Sequence, residues 1–156
     1  MPTYEDMSID GILKDVGKQL MNIVGGSSGP LYGTAYRKAG VFLKGKDEIT
    51  IEDFFGMMDT AIASIQKLGK AVKGEKTMLD SMMPALDAMK ESYAADGDAK
   101  KALGAGVKAA EEGIEYTKTI IATKGRAAYL GERSLGHQDP GATSFTLMLK
   151  VVEELA

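Results

Sequence analysis

An all-α fold is what this sequence predicts, and three observations carry it. Apolar residues recur at steps of three and four along nearly the whole chain. No segment alternates apolar and polar long enough to make a strand. The periodic runs are separated by short stretches of glycine, serine, aspartate and proline, residues that stop and start helices. The expected arrangement is an antiparallel, up-and-down bundle or barrel of about six helices with mostly short connections. At 156 residues, the whole chain, 1–156, reads as one domain with room for a real core.

The elements follow in order. Ile9, Ile12, Leu13, Val16, Leu20 and Ile23 line one face of a first helix, which Gly25 and Gly26 should end. Ser27 or Ser28 can cap a second helix, with Pro30 in its first turn, where a missing N–H costs nothing. That helix should run to about Lys44 and turn at Gly45–Lys46–Asp47. Thr50 caps a third, whose buried face carries Ile51, Phe54, Phe55, Met58, Ile62, Ile65 and Leu68. After the loop from Gly69 to Lys76, Thr77 should open a fourth helix bearing Leu79, Met82, Met83, Leu86 and Met89. Pro84 inside it should kink it by removing a backbone donor. Leu103, Val107, Ala110, Ile114, Thr117 and Ile121 mark a long fifth helix. Asp139 followed by Pro140 starts the sixth, with Phe145, Met148, Leu149 and Val152 facing inward.

Composition narrows the function. A net charge of −3 with no basic block leaves nothing to neutralise nucleic-acid phosphates. The absence of cysteine removes disulfides and thiolate metal sites and suits a cytoplasmic setting. One histidine cannot make a histidine-rich metal centre. No apolar run approaches the roughly 20 residues that span a bilayer, and the acidic, polar N-terminus is no signal peptide. The ten methionines read as core filler.

Three polar, glycine-containing junctions remain: GGSSGPLYG (25–33), GKAVKGEKT (69–77) and KGRAAYLGERSLGHQDPGATS (124–144). The last holds two of the three arginines and the only histidine. In six antiparallel helices these junctions fall at one end, so the chain's unusual chemistry should share a rim. Each alone could be a capped turn. Together they offer helix-start amides, glycines that admit a phosphate, Arg126 and Arg133 for bidentate grip, and Lys70 or Lys76 as mobile charges.

Three other features carry less. Gly69–x4–Gly74–Glu75–Lys76–Thr77 nearly spells a phosphate-binding loop, but Glu75 separates glycine from lysine, and a helix precedes where a strand is needed. Asp96–Gly97–Asp98 reads as a turn, with Asp98 capping the next helix. His137, without a histidine or cysteine partner, reads as support for its loop.

Together GGSSGPLYGT, GEKTMLD and KGRAAYLGERSLGHQDPGATS closely resemble the nucleotide-binding L subunit of bacterial dihydroxyacetone kinase, and the likeness runs over the whole chain. The resemblance implies an antiparallel helical barrel, normally of eight helices, holding ADP at one rim. ADP would be recharged to ATP by a phosphohistidine carrier subunit of the phosphotransferase system. The phosphoryl group would then pass to dihydroxyacetone on a separate K subunit. By matching motif, Ser27 and Ser28 would meet the phosphates, and Gly69 and Met78 would line the pocket with Thr77 beside it. Arg126 would contact the nucleotide, while Asp139, Pro140 and Gly141 would border the sugar.

The family's first two helices carry an acidic Gly-Asp-x-Asp-His-Gly loop whose aspartates hold two Mg²⁺ ions, and no such loop occurs here. The chain thus reads as N-terminally truncated relative to the family, without metal ligands. The expectation is weak or absent kinase activity in isolation, and exposed apolar faces that invite self-association. The alternative is an inactive fragment or non-catalytic module that docks a kinase partner subunit. No nucleic-acid or membrane partner is expected.

Overall fold

In the computed structural model, residues 3–156 are described. Among them are six α-helices and no strand: α1 (Ile9–Ile23), α2 (Ser28–Phe42), α3 (Ile51–Gly69), α4 (Leu79–Asp96), α5 (Ala99–Thr117) and α6 (Pro140–Leu155). Two 3₁₀ segments, Tyr4–Asp6 and Arg126–Ser134, complete the regular structure. The all-α expectation and the count of six long helices hold. The second 3₁₀ segment is new: it turns through what the glycines suggested was open loop, bending at Gly131.

Helix starts follow side-chain chemistry. Ser8, Thr50, Asp98 and Asp139 each place an oxygen on a first-turn amide of α1, α3, α5 and α6. At Thr50 the arrangement is reciprocal, since Asp53 also accepts from the Thr50 amide. Ser8 was not foreseen. The starts of α2 and α4 lack an N-cap side-chain bond; the first lies in the junction 25–33 and the second directly follows the junction 69–77. Ser27 occupies the N-cap of α2 in helical conformation, so its hydroxyl does not cap.

Two compact units divide the chain, one ending at Lys70 and the other running from Ala71 to Ala156. In the first, α2 packs against both α1 and α3. A Cβ on Gly40, late in α2, would meet Asp10 and Leu13, and one on Gly29 would meet Leu20 and Val24. Start therefore faces end, and α1 and α2 are antiparallel. Midway they touch backbone to backbone, where Gly17 and Gly33 each face the other's carbonyl. Phe42 against Gly56 and Leu31 against Gly69 run α3 antiparallel to α2 in the same way. The core here is Ala35, Ala39, Leu43, Phe55, Met58, Ile62 and Ile65.

In the second unit, α5 packs on α4 and α6, and α4 also meets α6. Met89 lies against Gly106, and Asp80 against Gly113, so α4 and α5 are antiparallel. Lys150 pairs with Glu111 at 2.6 Å, and the Asp139 amide donates to Thr117 Oγ1, so α6 returns antiparallel to α5. Met78, Leu79, Met82, Leu86, Met89, Leu103, Phe145 and Leu149 fill this core. Of the methionines read as core filler, Met58, Met78, Met82 and Met89 are buried, while Met21 is 40% exposed. Pro84 sits inside α4, which continues unbroken to Asp96.

Helix α5 stops at Thr117, one turn before the apolar period suggested. Its end tightens: the amides of Lys118 and Thr119 bond three residues back, and the Thr117 hydroxyl bonds the Ile114 carbonyl. The turn at Asp96–Gly97–Asp98 is as read, with Gly97 at φ 72° and Asp98 capping α5.

Candidate functional site

In the first unit, the start of α2 and the end of α3 share one end. A Cβ on Gly69 would lie 3.3 Å from Leu31, in the first turn of α2. Ser27, Ser28 and Gly69 therefore come together there. Ser27 is exposed and Ser28 half-buried. With no side chain capping them, the first amides of α2 keep their donors and the positive end of the helix dipole. Such a start accepts an anionic group, phosphate above all. Lys70 is exposed next to Gly69, in the left-handed conformation that closes α3.

In the second unit, residues 71–77 and the junction 124–144 meet around a residue whose role is not the expected one. Lys76 is no mobile surface charge. It is 4% exposed, held at φ 59°, and its ammonium donates to four backbone carbonyls. The Thr117, Ser134 and His137 carbonyls lie at 2.6, 2.7 and 2.5 Å, and the Ile120 carbonyl at 3.3 Å. Three N–H bonds answer the three short contacts, which is the full donor capacity of an ammonium. The Thr117 carbonyl ends α5, where a cation complements the helix dipole, and the Ile120 carbonyl lies just beyond it.

Two buried carboxylates belong to the same region: the charge of Asp139 acts on that ammonium, and the charge of Asp80 acts on Asp139. Asp80 is fully buried and accepts from the amides of Gly74 (2.5 Å) and Thr77 (2.8 Å). The loop that nearly spells a phosphate cradle thus folds around an internal anion. Asp139 is 8% exposed and caps α6 through Ala142 at 2.7 Å. Burial pushes the Asp139 carboxyl above its ordinary range, and the charge of Asp80 adds to this; the Ala142 and Gly141 amides and Lys76 pull it back. Burial likewise lowers the Lys76 ammonium, and Asp139 counters it.

The structure gathers Thr77, Met78, Asp139, Pro140 and Gly141 at the joined starts of α4 and α6. A Cβ on Gly141 would crowd Met78 at 3.2 Å and Asp139 at 3.0 Å. Met78 is buried at the N-cap of α4, one residue later than the expected start at Thr77, whose hydroxyl accepts from the Leu79 amide. Pro140 is exposed and Gly141 half-buried. Arg126 opens the 3₁₀ segment and is exposed, as is Arg133, with no partner for either among the described residues. His137 supports its loop through its carbonyl, while the residue itself is exposed. Sequence reasoning missed Asp80 and the fixed place of Lys76. The signal for Asp80 was its spacing, a carboxylate three residues after Thr77 at a helix start.

Among the described residues, no three histidine, cysteine, aspartate or glutamate side chains group to hold a metal ion. No helix is long and apolar enough to cross a membrane.

A helical chain with these strings at its helix starts is a recognisable kind of protein, and it belongs to the DAK2-domain family, whose model matches residues 2–154. It is similar to the ADP-binding subunit of the PEP-dependent dihydroxyacetone kinase of Escherichia coli, being 39% identical over 152 residues. That match covers 97% of this chain and 72% of the subunit. A Listeria innocua ADP-binding subunit is 38% identical, over 92% of this chain and 66% of its own length. Among solved structures, the dihydroxyacetone kinase from C. freundii in complex with AMP-PNP and Mg²⁺ superposes with a TM-score of 0.68 at 27% identity. That match covers 96% of this chain and 24% of that one.

Proposed function

We propose that this chain carries ADP and ATP for a dihydroxyacetone kinase, as a phosphotransferase subunit in a cytoplasmic setting. Bound ADP would take a phosphoryl group from a phosphohistidine carrier subunit of the phosphotransferase system. The ATP so formed would serve dihydroxyacetone held on a K subunit. The carrying observation is the 39% identity to the Escherichia coli ADP-binding subunit across 97% of the chain.

The site residues support this, each on its own terms. Ser27 and Ser28 would meet the phosphates with their hydroxyls beside the uncapped amides of α2, with Gly69 at the same end. Thr77 and Met78 would flank the base at the start of α4. Arg126, exposed and unpaired, would grip the nucleotide. The exposed ring of Pro140 and the backbone of Gly141 would border the sugar, while Asp139 spends a carboxylate oxygen on Ala142 and fixes that backbone. We propose, too, that 1–156 serves as a single nucleotide-binding domain. Mg²⁺ belongs to the chemistry that the resemblance implies, but the described residues form no ligand cluster for it.

Self-association is part of the proposal. Leu147, Val151 and Leu155 follow one another at four-residue steps on α6 and are 59, 53 and 84% exposed. A stripe of that kind favours contact with a second copy.

Isothermal titration of ADP into the chain, with and without Mg²⁺, tests the nucleotide reading. Saturable heat that Ser28→Ala and Arg126→Ala weaken is expected. No heat under either condition would sink it.

A further inference from the structure

Residues 118–139 leave the end of α5 and return to the start of α6 as one loop, and its two ends are tied. The Gly136 amide donates to the Lys118 carbonyl at 2.8 Å, and the Asp139 amide to Thr117 Oγ1 at 2.9 Å. Further out, Ser134 Oγ accepts from the Ala122 amide at 2.9 Å and donates to the Gly131 carbonyl at 2.7 Å. Past these ties, the stretch bearing Arg126, Tyr129 and Leu130 stands outward, with Tyr129 89% exposed.

Two adjacent residues from outside the loop hold it. Lys76 sends its ammonium into the loop base, onto carbonyls from both the outgoing and the returning strand of chain. Glu75 reaches the outgoing side, accepting from Thr123 Oγ1 at 3.4 Å and lying 3.8 Å from the Lys124 ammonium. Its other oxygen accepts from the Val72 amide at 2.8 Å, which fixes the carboxylate. Lys124 is two residues from Arg126. Neither Glu75 nor Lys76 is a candidate ligand contact: one is committed to Val72, Thr123 and Lys124, the other buried.

We infer that Glu75 and Lys76 are positioning residues: they hold the 118–139 loop and so set where Arg126 meets the nucleotide. This rests on the nucleotide reading above. The inserted glutamate that spoils the phosphate-loop pattern is then half of a peg. A bidentate arginine contact depends on orientation, so a loop that wanders loses it without any change to Arg126 itself.

The test is a double-mutant cycle in the full chain, read by ADP titration and by amide hydrogen exchange over 123–133. Lys76→Met removes the ammonium, and Glu75→Ala removes the gentler, half-buried contact and decides alone where the first variant does not fold. Each is expected to speed exchange in 123–133 while α4, α5 and α6 keep their protection. Each should weaken ADP binding about tenfold, the scale of one lost charge-assisted bond. In an Arg126→Ala background, neither should weaken binding further. Unchanged exchange and affinity would overturn the inference, as would an equal loss with and without Arg126. No ADP heat from the unmutated chain defeats the nucleotide reading and the Arg126 arm with it; exchange still decides whether the pair holds the loop.

Discussion

Gly113 on α5 lies against the backbone carbonyl of Asp80 on α4, so closely that a Cβ there would sit 2.3 Å from the oxygen. That carbonyl is the one whose helical partner would be the amide of residue 84, and residue 84 is proline. A missing donor on one helix and a missing side chain on its neighbour thus fall at the same place. Gly113→Ala should destabilise the chain by about 1–3 kcal/mol, the usual range for overpacking. Gly104→Ala, on the same helix with nothing within 4 Å of the added carbon, should stabilise it by about 0.5–1 kcal/mol. Urea unfolding of the two variants checks the pair, and equal effects would refute the close approach.

Ser27 and Thr50 are both N-cap hydroxyls with opposite expected consequences. Thr50 bonds the Asp53 amide at 3.1 Å, whereas Ser27 caps nothing. Thr50→Ala should cost about 1 kcal/mol and leave ADP binding alone. Ser27→Ala should change stability by less than about 0.5 kcal/mol yet weaken ADP binding. Melting curves alongside titration separate them, and a stability loss at Ser27 would mean its hydroxyl serves the helix.

Ser134 is 2% exposed and works as donor and acceptor at once. Ser134→Ala strands the buried Ala122 amide, at a cost of about 1–3 kcal/mol. Ser134→Thr keeps the hydroxyl and should recover part of that. Thermal denaturation of both variants is the check.

The raised carboxyl of Asp139 gives a pH dependence of definite sign. Its folded value lies above the ordinary 3.8, so the stability it contributes is full below 3.8 and lost as pH rises through the folded value. Asp139→Asn retains an oxygen for the Ala142 amide without the charge. The stability of the wild type relative to Asp139→Asn should therefore fall as pH rises from below 3.8 into the mildly acidic range. Unfolding midpoints across that range decide it; a rising difference would show a lowered carboxyl instead.

Helices were legible because their burial is periodic, and half of their starts because Thr50, Asp98 and Asp139 sit where first-turn amides need an acceptor. Within each unit the candidate residues also fell at shared ends, as antiparallel order requires. Lys76 was not legible. A lysine between glutamate and threonine in a glycine-bounded loop has the pattern of a solvated charge, and only folding assembles its four carbonyls. The end of α5 was misjudged for the same reason: Ile121 keeps the apolar period, but the helix yields where a cation takes its carbonyls. Nor could the uncapped start of α2 be read from serines that fit a cap.

Most helix contacts in the second unit join neighbours in the chain, the kind that form early and fast. The ammonium of Lys76 is different, for its carbonyls lie 41, 44, 58 and 61 residues away. It cannot find them until α4, α5 and α6 are in place. During refolding the Arg126 segment should therefore be the last part to gain order, giving a chain with native helix content whose 118–139 loop is not yet in place.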